Sequence, residues 1–198
     1  MTTMFNQNGT NSADVLELTA DGIYNANGGN DTINIKGGSV VVYTDSGNNI
    51  INVTGGRGHN VKVAENDKDS DKINGVEKLN INGADIVDAY LGSGKDEIVL
   101  ENTNGKNSNG VLSMIHGGAW GDIFTVKEGA KNYQLYGDAG NDVFNISGGS
   151  NINFWGGAAN DTFNVTGGNN NKFYGGDSAD TFNVSAGNQN MTLGYGND

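Results

Sequence analysis

Short alternating segments, each opened by an acid or an amide, recur along this chain. Asp161 opens DTFNV, in which Phe163 and Val165 fall on one side of an extended strand. Thr162, Asn164 and Thr166 fall on the other. The same mark, Asp or Asn followed by x-apolar-x-apolar, stands at Asp14, Asp31, Asn49, Asp96, Asp122, Asp142 and Asp180, and a further GND ends at Asp198. Successive regular marks lie 17 to 20 residues apart. Between them runs a second apolar cluster, where Phe173 matches Phe154 and Leu135 one and two periods earlier. Each period therefore predicts two short strands joined by two Gly-rich corners.

A strand of five residues is not stable alone. Stacked on its equivalents at ~4.8 Å it completes its hydrogen bonds above and below, and its inward residues join a continuous narrow core. The period thus predicts an all-β fold, a parallel β-solenoid of about ten coils with two short strands in each. Residues 14–198 read as one such domain, and residues 1–13 as an N-terminal extension, cap or junction segment. The register is looser in the middle of the chain, where Asp71 and Asp85 are candidate marks. Polar insertions interrupt it at 65–71 (ENDKDSD) and 101–110 (ENTNGKNSNG).

Composition changes the picture in one respect. Gly and Asn contribute 33 residues each, a third of the 198, and there is no Pro. Chains this polar usually stay flexible, but here 35 % of residues are hydrophobic and keep a register that linkers lack. A net charge of −12 makes nucleic acid and anionic membrane poor partners and cations good ones. Without Cys there are no disulfides or thiolate metal sites. The first residues, MTTMFNQNGTNSAD, have no basic or apolar region of a Sec-type signal, and no apolar run is long enough to insert across a membrane.

The corners carry the candidate chemistry. Stretches leading into the marks include GGND (28–31), LGSGKD (91–96), GGAWGD (117–122), GDAGND (137–142), GGAAND (156–161), GGDSAD (175–180) and LGYGND (193–198). Carboxylates stacked ~5 Å apart repel unless a cation lies between them. The alternative is that each Asp caps a turn through its own backbone and needs no metal.

These corners resemble the calcium-binding nonapeptide G-G-x-G-x-D-x-U-x of the RTX (repeats-in-toxin) family. Only one corner per coil carries Asp, and the other reads GGSNI, GGNNN or AGNQN. That one-sided pattern is most similar to the 19-residue-coil solenoids of giant bacterial RTX adhesins, one variant of which binds ice. The resemblance covers most of 14–198 and is strongest over 117–198. It implies a right-handed β-roll with one ladder of Ca²⁺ along one edge. The implied ligands are Asp14, Asp31, Asp96, Asp122, Asp142, Asp161, Asp180 and Asp198. With them come the corner glycines Gly29, Gly92, Gly94, Gly117, Gly137, Gly140, Gly156 and Gly175. The opposite edge is expected to be held by Asn ladders and Gly turns. Asn49 breaks the column, and Asp138 and Asp177 sit inside two of the loops as solvated groups or added ligands.

Other motifs carry less. His59 and His116 fall in unrelated coil positions, which predicts exposed or turn residues. GGRGHN and GSGKDE fit no phosphate loop, and Asp85, Asp88 and Asp96 read as solvated rather than as a glycosidase pair. The outward row Thr162/Asn164/Thr166 is too irregular in other coils for an ice-binding face. The expected function is non-enzymatic: a calcium-dependent, extracellular structural or adhesive module of a bacterial surface or matrix, exported by type I secretion. The alternatives are the RTX tail of a secreted enzyme or toxin and, less favoured, an ice-binding solenoid. Expected partners are surface or matrix components, or further copies of the chain stacked head-to-tail into filaments through Asp198 and residues 1–13.

Overall fold

The structure, a computed structural model, describes residues 5–44, 46–62, 76–186 and 188–195. Over them the chain is an all-β parallel solenoid of about eight turns, without helix. Nineteen strands alternate in chain order between two sheets, one of ten strands and one of nine, and all strand pairs outside one small excursion are parallel. Phe5–Asn8 is the first strand of the larger sheet and pairs with Gly22–Asn25. Sheet pairing therefore begins ahead of Asp14.

Alternation sets the core. Thr162–Val165 and the two strands stacked before it, Val143–Ile146 and Ile123–Val126, share the pattern half-buried, buried, half-buried, buried. Phe163 and Val165 point inward, facing Phe154 and Phe173 from the other sheet, and all four are fully buried. Equivalent residues stack in register. Phe124, Phe144, Phe163 and Phe182 form one column with ring centroids 4.7 Å apart, and Phe154 lies over Phe173 at 4.8 Å. The two columns meet edge to face, Phe144 against Phe154 and Phe163 against Phe173 at 5.8 Å. Both geometries suit the ring quadrupole, so the narrow core gains more than its buried area.

Outward residues also form ladders. On the nine-stranded sheet the Asn52 amide donates to Asn34 and the Asn80 amide to Asn52, at 2.8 Å each. Asn164 donates to Asn145 and Asn183 to Asn164, at 3.0 and 2.9 Å. The expected amide ladders thus run mainly along a sheet face. At the opposite edge Asn132 donates to Asn104 at 2.7 Å, Asn171 accepts the Ile152 N–H, and Gln189 donates to the carbonyls of Gly167 and Gly168. The larger sheet carries a ladder of rings, Tyr90, His116, Tyr136, Trp155 and Tyr174, with centroids 4.4–5.3 Å apart and planes within 10°.

Of the polar stretch 101–110 the first half stays in the coil: Glu101 ends a strand, Thr103 is buried, and Asn104 bridges Asp85 and Lys131 in parallel. The excursion starts only at the antiparallel Lys106–Leu112 bridge, beside which Val111 is exposed. The insertion at 65–71 and the candidate mark Asp71 lie outside the described residues. Asp85 is no mark: it begins Asp85–Tyr90 in the ten-stranded sheet, whereas every mark among the described residues precedes a strand of the nine-stranded sheet. A 28-residue step from Asn49 hides the true equivalent, which is Glu77.

Candidate metal centre: a buried file of carboxylates

The marked residues occupy one corner of each turn, and most are sealed from solvent. Asp31, Asn49, Glu77, Asp96, Asp122, Asp142, Asp161 and Asp180 are all within 4 % of full burial. Each carboxylate is tied to the preceding turn by one oxygen. The N–H groups of Asp14, Glu77, Asp96, Asp122, Asp142 and Asp161 donate to Oδ1 of Asp31, Asp96, Asp122, Asp142, Asp161 and Asp180, at 2.6–2.8 Å. Asn49 takes the same place, accepting from Asp31 at 2.9 Å. An Asp cap on its own turn is therefore the wrong picture for these residues: the cap reaches across to another coil.

The Asn before the Asp ties the other way. Asn30 Oδ1 accepts the N–H of Asn48, Asn48 that of Val76, Asn141 that of Asn160, and Asn160 that of Ala179, at 2.9–3.1 Å. The ND dipeptide thus bonds to both neighbouring turns, which gives a structural reason for its recurrence.

The corner backbone alternates in hand. The residue four before the mark has positive φ at Asn27, Gly92, Gly118, Asp138, Gly157 and Gly176. So does the residue two before it, at Gly29, Gly47, Gly94, Trp120, Gly140, Ala159 and Ser178. Where that second φ is 123° to 150° the residue is Gly; where it is 79° to 87° a side chain is carried. Five residues before the mark, Gly117, Gly137 and Gly156 lie directly against Oδ2 of Asp122, Asp142 and Asp161, where a Cβ would collide. The carbonyls of Gly156 and Gly175 close on the same places from the next turn.

The second oxygen of each acid is what the hydrogen bonds leave over. Oδ2 of Asp31, Asp96, Asp122, Asp142 and Asp161, and Oε2 of Glu77, are buried without a hydrogen-bond partner. A buried orphan carboxylate oxygen facing carbonyls is costly unless a cation or a proton joins it. Burial, first of all, raises the affinity of these acids for protons, and neighbouring carboxylates add to it. Asp142 is pushed up to about 6, Asp96 and Asp161 to about 7, Glu77 and Asp122 to about 8, and Asp31 is raised.

The residues present fit a hard cation best over 117–180. There the donors are carboxylate and carbonyl oxygens only, as calcium prefers, and Gly leaves room for them. Among the described residues no three of His, Cys, Asp and Glu cluster, so an ion would meet two carboxylates in file and complete its shell from the backbone. Upstream the fit is poorer, because Leu91 and Ala26 stand where the later corners have Gly. Asp14 differs again. Its Oδ2 accepts both the N–H and the hydroxyl of Thr10, at 2.6 and 2.9 Å, so it is the local cap that the others are not. Asp198 lies outside the described residues. Asp138 binds His116 Nδ1 at 2.9 Å, whereas Asp177 is exposed. His116 corrects the expectation for it: it is a half-buried strand residue stacked between Tyr90 and Tyr136, not a turn residue.

Sequence reasoning missed Glu77. EKLNI has the alternation of a mark, and admitting Glu beside Asp and Asn would have found it. No family model, curated protein or solved structure matches the chain.

Proposed function

We propose that this chain is a calcium-dependent structural or adhesive solenoid working outside the cell. The carrying observation is the file of buried carboxylate oxygens left without partners beside the carbonyls of the next turn. Ionised together, acids ~5 Å apart at an effective dielectric of ~20 repel by roughly 3 kcal/mol per neighbouring pair. Several such pairs outweigh the stability of an ordinary domain, so a folded rod with these acids ionised calls for a counter-charge. Calcium at the millimolar level found outside cells meets that need with hard-oxygen ligands, and its binding then drives folding.

In this reading the chain has roughly ten coils of two strands each, and the ion ladder runs along the corner that precedes the nine-stranded sheet. The Asp residues hold the ion, the Gly residues admit it, and the outer faces are left for contacts with matrix or surface partners. Circular dichroism during a calcium titration tests it. The expected result is a disordered chelated chain at pH 7 that gains β-signal as calcium reaches the millimolar range. A rod fully folded in excess chelator, and unchanged by calcium, refutes the proposal.

A further inference from the structure

Glu77 and Asn49 are adjacent members of the buried file, and neither matches its other members. The Asn49 side chain bonds in both directions: its Oδ1 accepts the Asp31 N–H at 2.9 Å, and its Nδ2 donates to Glu77 Oε1 at 3.0 Å and to the Gly47 carbonyl at 3.3 Å. An amide N–H pair aimed at one carboxylate oxygen and one corner carbonyl supplies the positive end that a cation supplies between two acids. Glu77 has lost an oxygen to that contact and keeps Oε2, which is buried and unpartnered. On its far side the Glu77 N–H donates to Asp96 Oδ1, and Asp96 Oδ2 is orphaned as well.

We infer that Glu77 is a calcium ligand that opens the longer run of sites, and that Asn49 closes that run by standing in for an ion. The inference rests on the calcium reading above. It divides the file into unequal parts. On one side of Asn49, Asp31 is the single acid of the file with an orphaned oxygen among the described residues, since Asp14 is satisfied by Thr10. On the other, Glu77, Asp96, Asp122, Asp142 and Asp161 follow one another without a neutral member. The Glu77 carboxylate meets Asn49 through Oε1 and keeps Oε2 buried and unpartnered, as the Asp members keep Oδ2. The step between Asn49 and Glu77 takes no ion, so the two parts fill independently.

Equilibrium dialysis with calcium on the full chain tests this, using wild type, Asn49→Asp and Glu77→Gln. Asn49→Asp is expected to bind one more ion per chain and to raise the melting temperature at saturating calcium. Glu77→Gln is expected to lose one ion while the remaining sites fill at unchanged midpoint. If wild type binds calcium but Asn49→Asp gains no ion, or Glu77→Gln loses none, the inference is overturned and the calcium reading stands. If wild type binds none, both fall. Should Glu77→Gln fail to fold, the ion count of Asn49→Asp decides alone.

Discussion

Asp161 accepts the backbone N–H of Asp142 through Oδ1 at 2.8 Å and keeps Oδ2 buried without a partner. One side chain therefore has two separable jobs. The first oxygen joins coils whether or not a metal is present, and the second accounts for the proposed metal dependence.

Substitution at Asp142 separates these jobs. Asp142→Asn keeps an oxygen for the Asp122 N–H and replaces the orphan with a donor, as Asn49 does naturally. It should weaken calcium binding yet make the chelated chain easier to fold. Asp142→Ala also strands the buried N–H, which costs about 1–3 kcal/mol in either state. Paired calcium titrations and denaturant melts read both effects. Equal behaviour of the two variants in chelator would show that the first oxygen contributes nothing.

Proton affinity gives a second handle. These acids hold a proton more tightly folded than unfolded, so their contribution to the metal-free rod is fully present below the unfolded value, near 4. It is lost as pH climbs through about 6 for Asp142 to about 8 for Glu77 and Asp122. In chelator, stability should fall between pH 4 and 8. With saturating calcium the slope reverses, because protons then compete with the ion. Melting temperatures across that range, with and without calcium, should cross; parallel curves would exclude the carboxylate file as the shared site of proton and metal.

The solenoid was readable in the chain because its signal is redundant. Phe163 inward and Asn164 outward repeat what Phe144 and Asn145 say one turn earlier, and stacking demands that they agree. The Asp column was readable for the same reason. What repetition cannot supply was missed. Glu77 follows a long insertion, so spacing gives no warning of it, and its acid differs in type from the Asp and Asn of the other marks. His116 stands between two Tyr in space but 26 and 20 residues from them in sequence, a ladder visible only once the coils are in register. Asp14 carries a perfect mark, yet Thr10 four residues earlier takes its oxygen. Pattern identified the position, and local chemistry decided its use.

Neighbouring aromatic residues test the register directly. Phe154 is fully buried, while the adjacent Trp155 lies half-buried in the outer ring ladder between Tyr136 and Tyr174. Phe154→Ala empties a packed site and should cost about 3–5 kcal/mol. Trp155→Ala removes one member of a surface stack and should cost about 1 kcal/mol. Urea melts in calcium give both values. A larger loss from Trp155 than from Phe154 would mean that the strand faces the other way.

The last prediction concerns corner strain, where two adjacent turns should respond with opposite sign. Ala159 and Gly140 hold the same place, two residues before Asp161 and Asp142, with φ of 79° and 133°. At 79° a side chain is accommodated but strained, since the left-handed region costs a non-Gly residue roughly 1–2 kcal/mol. Ala159→Gly relieves that strain, and part of the relief is offset by the greater freedom of Gly in the unfolded chain, about 0.4–1 kcal/mol. A gain of up to about 1 kcal/mol is expected. At 133° only Gly fits, and a Cβ on Gly140 would strike the carbonyl of Trp120 in the preceding corner. Gly140→Ala should therefore destabilise the rod by several times that gain and, because it shifts the corner carbonyls, raise the calcium midpoint as well. Ala159→Gly should leave the midpoint unchanged or lower it. Calcium titrations of both variants, followed by denaturant melts at saturation, measure the two quantities separately. Destabilisation by both substitutions would mean that the corner owes its shape to the side chain of Ala159 rather than to the backbone.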